Sequence, residues 1–172
     1  AEIRAMQFLQ FGCGNMGGAM LAGWLACGFA PEGFTVVDPY LAQAPQGVRL
    51  LKAAPSGEAP ADVVLLGFKP QQLPDAAATV RPHVGPNTLL LSILAGVDMA
   101  TLRTAFPDAQ AIVRVMPNLA AALGKSPIAL VGDAQGDAKA LTEKLMAPLG
   151  QAEWLSGEDQ MDLVTEIGRA HV

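Results

Sequence analysis

The sequence predicts an α/β protein: a doubly wound, mostly parallel sheet with helices on both faces. Three observations predict it. Short apolar runs alternate with helix-spaced stretches along the chain. Several of those runs, such as "VVLLGF" and "LLLSIL", are almost wholly apolar, as buried strands are. Residues 8–18, "FLQFGCGNMGG", put a glycine-rich turn between the first run and the first helical stretch.

Each element follows from local chemistry. "MQFLQF" (6–11) is bulky and apolar, hence a strand. Met16, Met20, Leu21, Trp24, Leu25 and Phe29 then recur at helical spacing over 16–29, and Gly28 and Pro31 stop that helix. "FTVVD" (34–38) completes a β-α-β unit. The Pro/Gly-rich stretch 44–60 reads as a surface loop with a short strand at "VRLL", so the helix expected before the third strand is short or missing. Residues 61–68 form a strand and 71–81 a helix. Residues 87–94 form a strand, and 98–106 a helix with Asp98 as N-cap. "AIVRVM" (111–116) and "SPIALVG" (126–132) are strands. A helix over 137–150 is closed by Gly150, 152–155 is a short strand, and 157–168 reads as a helix leaving the domain.

Composition excludes several classes. The chain has 172 residues, 51% of them hydrophobic and 16% charged, enough for a buried core. Eleven basic residues against sixteen acidic ones give a net charge of −5, with no basic cluster to neutralise phosphates, so no nucleic-acid partner is expected. Residues 5–31 carry no charge, but Gln7, Gln10, Asn15 and six glycines break the run, which excludes a membrane span. Cys13 and Cys27 do not make a disulfide framework and read as reduced thiols of a cytoplasmic protein. His83 and His171 have no partners at metal-ligand spacing, and no Ser/His/Asp signature is present.

The candidate site residues all follow strands. Gly12, Gly14 and Gly17 fit G-x-G-x-x-G at the opening of a helix. Gly12 permits the turn, Gly14 lets a pyrophosphate approach the backbone, and Gly17 permits close helix–strand contact. Asp38 ends the second strand, 21 residues after Gly17, where an acid accepts from a ribose 2′-hydroxyl and repels a 2′-phosphate, favouring NAD over NADP. Asp38 before Pro39 is also an ordinary turn start. Lys69 and Pro70 follow the fourth strand; on spacing alone Lys69 reads as a solvated charge. Gly96, after the next strand, has no Cβ to bar a flat ring. Asn118 offers a donor and an acceptor, but as readily forms a turn. No side chain stands out as a general acid or base, which a hydride-transfer enzyme tolerates.

Taken together and in order, "FGCGNMGGAML", "VVLLGFKPQ", "ILAGVDMATL", "RVMPN" and "EDQMDLVT" resemble the pyrroline-5-carboxylate reductase family over about residues 6–165. The resemblance implies a Rossmann-like domain over 1–156 that binds NAD(H) or NADP(H). It implies hydride transfer to the C=N carbon of 1-pyrroline-5-carboxylate, giving L-proline in proline biosynthesis. It assigns Gly12, Gly14, Asn15, Met16 and Gly17 to the pyrophosphate. Lys69, Pro70, Ala95 and Gly96 would flank ribose and nicotinamide, and Met116, Pro117 and Asn118 would form the nicotinamide floor.

Three departures qualify the match. "MPNLA" replaces the family's "MPNTP", removing a threonine. "DPYLAQ" replaces the Arg/Ser residues that accept a 2′-phosphate. After "DLVT" the family continues into a second, helical domain that makes the dimer and much of the substrate pocket. Here the chain reads "EIGRAHV". Residues 157–172 are therefore expected to be the start of a truncated helical segment, with 166–172 foreign to the family and the second helical domain absent. The complete enzyme is expected to be a homo-oligomer, and Met161, Leu163 and Val164 to be left as an apolar surface. Activity of this piece alone is expected to be poor. Two other readings share the features: a related imine or β-hydroxyacid reductase, and a non-catalytic dinucleotide-binding module.

Overall fold

The computed structural model describes residues 5–117 and 126–161. Eight strands form one sheet: β1 (Phe8–Phe11), β2 (Phe34–Val37), β3 (Arg49–Leu51), β4 (Val63–Leu66), β5 (Leu89–Ser92), β6 (Ala111–Met116), β7 (Ser126–Gly132) and β8 (Gly150–Trp154). Among the described residues the α-helices α1 (Asn15–Ala26), α2 (Leu73–Val80), α3 (Met99–Ala105) and α4 (Gly136–Met146) flank it. The strand order is β3-β2-β1-β4-β5-β6-β7-β8. Strands β1 to β6 pair in parallel, β7 runs antiparallel to β6, and β8 is parallel to β7. The order reverses between β1 and β4, which makes that junction the topological switch point.

Side-chain alternation divides the core. Phe8, Val36, Val63, Leu65, Leu89 and Val113 face α1 and α4, together with Met20, Leu21 and Trp24 of α1 and Leu145 of α4. Leu9, Phe11, Val64, Leu66, Leu90 and Ile112 face α2 and α3, meeting Leu73, Val80, Leu102 and Phe106. Trp24 is fully buried, and its indole Nε1–H donates to the Leu145 carbonyl at 2.6 Å, tying α1 to α4. A third cluster, Ala129, Val131 and Met161, covers the outer strands.

The elements appear where expected, with corrected ends. Gly28 stops helix α1 as expected, with a left-handed φ of +90° and its N–H closed onto the Leu25 carbonyl; the helix ends at Ala26, so Phe29 lies outside it. Helix α4 stops at Met146, not 150. Pro148 has no N–H to continue the ladder, and Gly150 instead opens β8. Asp38 lies just past β2 rather than within it. No helix separates β2 from β3. Asp98 is the N-cap of α3, its Oδ1 accepting from Thr101 N–H at 2.8 Å. Of the helix expected over 157–168, residues 158–161 are helical and the rest lie outside the described residues, with Leu163 and Val164. Met161 is not an exposed patch: it is 1% exposed, packed against Ala129 and Val131.

Candidate functional site

One register line runs across the sheet through Leu51, Val37, Phe11, Leu66, Ser92 and Arg114. The described site residues singled out from sequence gather at that end of the sheet. Gly12 and Gly14 follow β1, Asn15, Met16 and Gly17 form the first turn of α1, Asp38 follows β2, Lys69 and Pro70 follow β4, Ala95 and Gly96 follow β5, Met116 ends β6 and Pro117 follows it. From β2 to β6 is four strand spacings, or roughly 19 Å, a length that suits an extended dinucleotide.

The glycine turn is built by close approach. Gly12 has φ +88°, and a Cβ there would stand 2.7 Å from Phe68 N and 2.8 Å from Gly67 C. A Cβ on Gly17 would stand 2.7 Å from Gln10 Nε2. Above Gly14, by contrast, nothing lies within 4 Å. Gly14 is also the N-cap of α1, with no side-chain cap and no acid in the first turn. The leading N–H groups of a twelve-residue helix, with its positive dipole end, therefore face an open approach.

A cleft of about 860 Å³ adjoins the turn. Gly12, Gly14, Asp38, Lys69 and Pro70 line it, together with Cys13, Tyr40, Phe68 and Gln72. Asp38 is held at three points. Its Oδ2 accepts from Cys13 N–H at 2.8 Å, and its Oδ1 accepts from Tyr40 N–H at 2.8 Å and Leu41 N–H at 3.2 Å. The turn-forming reading of Asp38 is thus realised, and the same carboxylate faces the cleft. The half-buried Cys13 thiol is pushed up from its ordinary pKa by burial and then by Asp38, so it stays protonated at neutral pH. Lys69 N–H donates to Gln72 Oε1 at 3.1 Å, fixing the short turn Pro70–Gln72, while the Lys69 side chain is exposed on the rim.

At the other end of the edge the loop after β5 is exposed. Ala95 and Gly96 are exposed, Gly96 has φ +73°, and no atom lies within 4 Å of its absent Cβ. Met116 is half-buried and Pro117 buried. Asn118 lies outside the described residues. Asn15, Met16, Ala95, Gly96, Met116 and Pro117 are not among the residues lining the cleft, which occupies the β2-β1-β4 end.

Sequence reasoning missed three features. Tyr40 is 87% exposed at the cleft, signalled only by its place after Asp38-Pro39. Gln10 is buried under α1, donating from Nε2 to the Gly12 carbonyl at 3.1 Å while its Oε1 has no partner. Its signal was a lone amide inside an apolar strand. The third is the ion pair of buried Arg114 with half-buried Glu158, 2.9 Å apart. Among the described residues no cluster of metal-ligating side chains occurs, and no helix is long and apolar enough to cross a membrane.

Switch point, glycine turn and uncapped helix together define a Rossmann-type domain of the oxidoreductase class. Residues 6–96 match the family described as NADP oxidoreductase, coenzyme F420-dependent, and the chain belongs to that family. More particularly, its relatives are pyrroline-5-carboxylate reductases, and the part it shares with them is their N-terminal domain. It is 30% identical over 163 residues to the pyrroline-5-carboxylate reductase of Pseudomonas aeruginosa, covering 91% of this chain and 60% of the relative. It is 31% identical over 173 residues to that of Pasteurella multocida, covering 95% and 63%. The solved structure of the Coxiella burnetii enzyme superposes with a TM-score of 0.83 at 26% identity, over 94% of this chain and 63% of that one. The chain thus spans less than two thirds of the length of these relatives.

Proposed function

We propose that this chain is the cofactor-binding domain of a pyrroline-5-carboxylate reductase and binds NAD(H) or NADP(H) along the strand edge. The observation that carries the reading is the open face above Gly14 at the uncapped N-terminus of α1. The two neighbouring glycine positions are closed by backbone and by Gln10; only the one facing the approach is empty. A diphosphate fits that cradle: N–H donors, a dipole end, and no carboxylate in the first helical turn.

Each residue then has a task. Gly12, Gly14, Asn15, Met16 and Gly17 hold the pyrophosphate. Asp38 accepts from the adenosine ribose, and its charge favours NADH over NADPH. Tyr40, exposed beside it, offers a ring face to the adenine. Lys69 and Pro70 bound the middle of the cleft. Ala95, Gly96, Met116, Pro117 and Asn118 bound the nicotinamide. The reduced nicotinamide, when bound, supplies a hydride to the imine carbon of 1-pyrroline-5-carboxylate, giving L-proline. The protein's share is placement, and the substrate pocket and homo-oligomer contacts belong to the remainder of the complete enzyme. Free Cys13 and Cys27 fit a reducing compartment such as the cytoplasm.

Titration of the chain with NADH and NADPH, followed by nicotinamide fluorescence, tests the reading. Saturable binding with NADH the tighter is expected, with slow consumption of NADH when the cyclic imine is added. Failure of both nucleotides to bind at millimolar concentration would overturn it.

A further inference from the structure

Arg114 sits on β6, two residues before Met116, and its side chain is only 5% exposed. A guanidinium so placed needs a counter-ion. Glu158, beyond β8, provides it: its Oε1 accepts from Arg114 Nη1 at 2.9 Å. The same oxygen accepts from Met99 N–H at 2.7 Å. Met99 opens α3 and closes the loop after β5 that contains Ala95 and Gly96. Asp98, the α3 N-cap between them, also lies in the field of Arg114. Met161, one helical turn after Glu158, anchors the segment by packing against Ala129 and Val131.

We propose that Glu158 is a positioning residue for the nicotinamide end of the site: one carboxylate oxygen sets the loop after β5 against the end of β6. The inference rests on the nucleotide reading above. Among the described residues the hydrogen bonds of Glu158 lie at the β5-β6 end, whereas those of Asp38 lie at the adenosine end. Movement of residues 158–161 is therefore transmitted to the nicotinamide loop and not to the adenosine cleft. Since these residues follow the last strand of the sheet, whatever holds them also sets the geometry of the reacting ring.

The test separates the two ends by ligand. ADP-ribose reports the adenosine end alone, while NADH adds the nicotinamide and its emission. In E158A, NADH affinity is expected to fall about tenfold relative to ADP-ribose affinity, the size of coupling such networks carry, with loss of the bound-nicotinamide emission. E158Q keeps an acceptor for Met99 N–H and is expected to fall between E158A and wild type. The double variant R114M/E158M, which removes the unpaired cation and so guards against simple unfolding, is expected to match E158A in ligand binding. Equal loss of both ligands, or wild-type behaviour of all three variants, overturns the proposal. So does a wild type that binds ADP-ribose yet gives NADH no emission change. Failure of the wild type to bind either ligand sinks the nucleotide reading itself, and Glu158 with it.

Discussion

The two ends of the strand edge are each tied by one carboxylate, but over very different distances. Asp38 joins the glycine turn to the β2–β3 loop through partners at most 25 residues away. Glu158 joins α3 to β6 through partners 44 and 59 residues away. The first end is closed locally, with a walled cleft. At the second, the exposed Ala95–Gly96 loop is set by a segment that follows β8. The first β-α-β unit and the turn after β4 can thus prepare a nucleotide-shaped end, while the reactive end stays subject to a segment that follows β8.

The sharpest way to break this contrast is at Gly12. Gly12→Ala places a Cβ against Phe68 N and Gly67 C and forces a left-handed residue. A loss of about 3 kcal/mol in denaturant unfolding is expected, together with loss of NADH and ADP-ribose binding alike. If ADP-ribose still bound normally, the local end would not depend on its turn.

Next comes the Arg114–Glu158 pair. E158A strands the Arg114 guanidinium and is expected to cost about 2 kcal/mol, less than a fully buried pair because Glu158 is partly exposed. R114M/E158M is expected to recover most of that in the same unfolding experiment. A double variant no more stable than E158A would mean that the ion pair is not what E158A loses.

Asp38→Ala should give a smaller and more selective change. Loss of a charged acceptor weakens NADH about tenfold while NADPH, relieved of repulsion, changes less. The ratio of the two dissociation constants, read by fluorescence titration, checks this; an unchanged ratio removes Asp38 from cofactor choice.

The smallest effect is a pH dependence remote from the site. Burial holds His83 below its ordinary pKa of 6.5, with Glu58 and a backbone bond at Pro55 pulling weakly the other way. A lowered folded pKa means the unfolded chain binds the proton more readily, so stability is full above 6.5 and declines as pH falls from there through the folded value. Urea midpoints measured from neutral pH downward are expected to fall less steeply in His83→Gln than in wild type.

These ends also differ in how far they can be read from sequence. The places of Gly12, Gly14, Gly17 and Asp38 were legible because their spacing within one β-α-β unit fixes their geometry; Lys69 and Pro70, after β4, reach the same edge by parallel register, and spacing alone gave Lys69 only as a solvated charge. The N-cap Asp98 was legible because capping is local. Glu158 and Arg114 were not: the pairing depends on β7 reversing and β8 following it, a tertiary event without a local signature. Gly28 was legible as the stop of α1, but the end of α4 was misread at Gly150, because Pro148 stops the ladder earlier. Tyr40 escaped notice because loop polarity and exposure leave no periodic trace.

The indole bond from Trp24 to the Leu145 carbonyl gives the protein a built-in optical readout. The chain has two tryptophans. Trp24 is sealed between α1 and α4, so its emission belongs to an apolar surround and shifts red only when those helices part. Trp154 sits on the last strand, its indole N–H on Glu143 and the Lys139 ammonium 5.7 Å from its ring centroid, where salt and solvent reach it. Single-tryptophan versions would therefore report, without any label, whether the glycine-turn helix undocks before or after the outer strand frays.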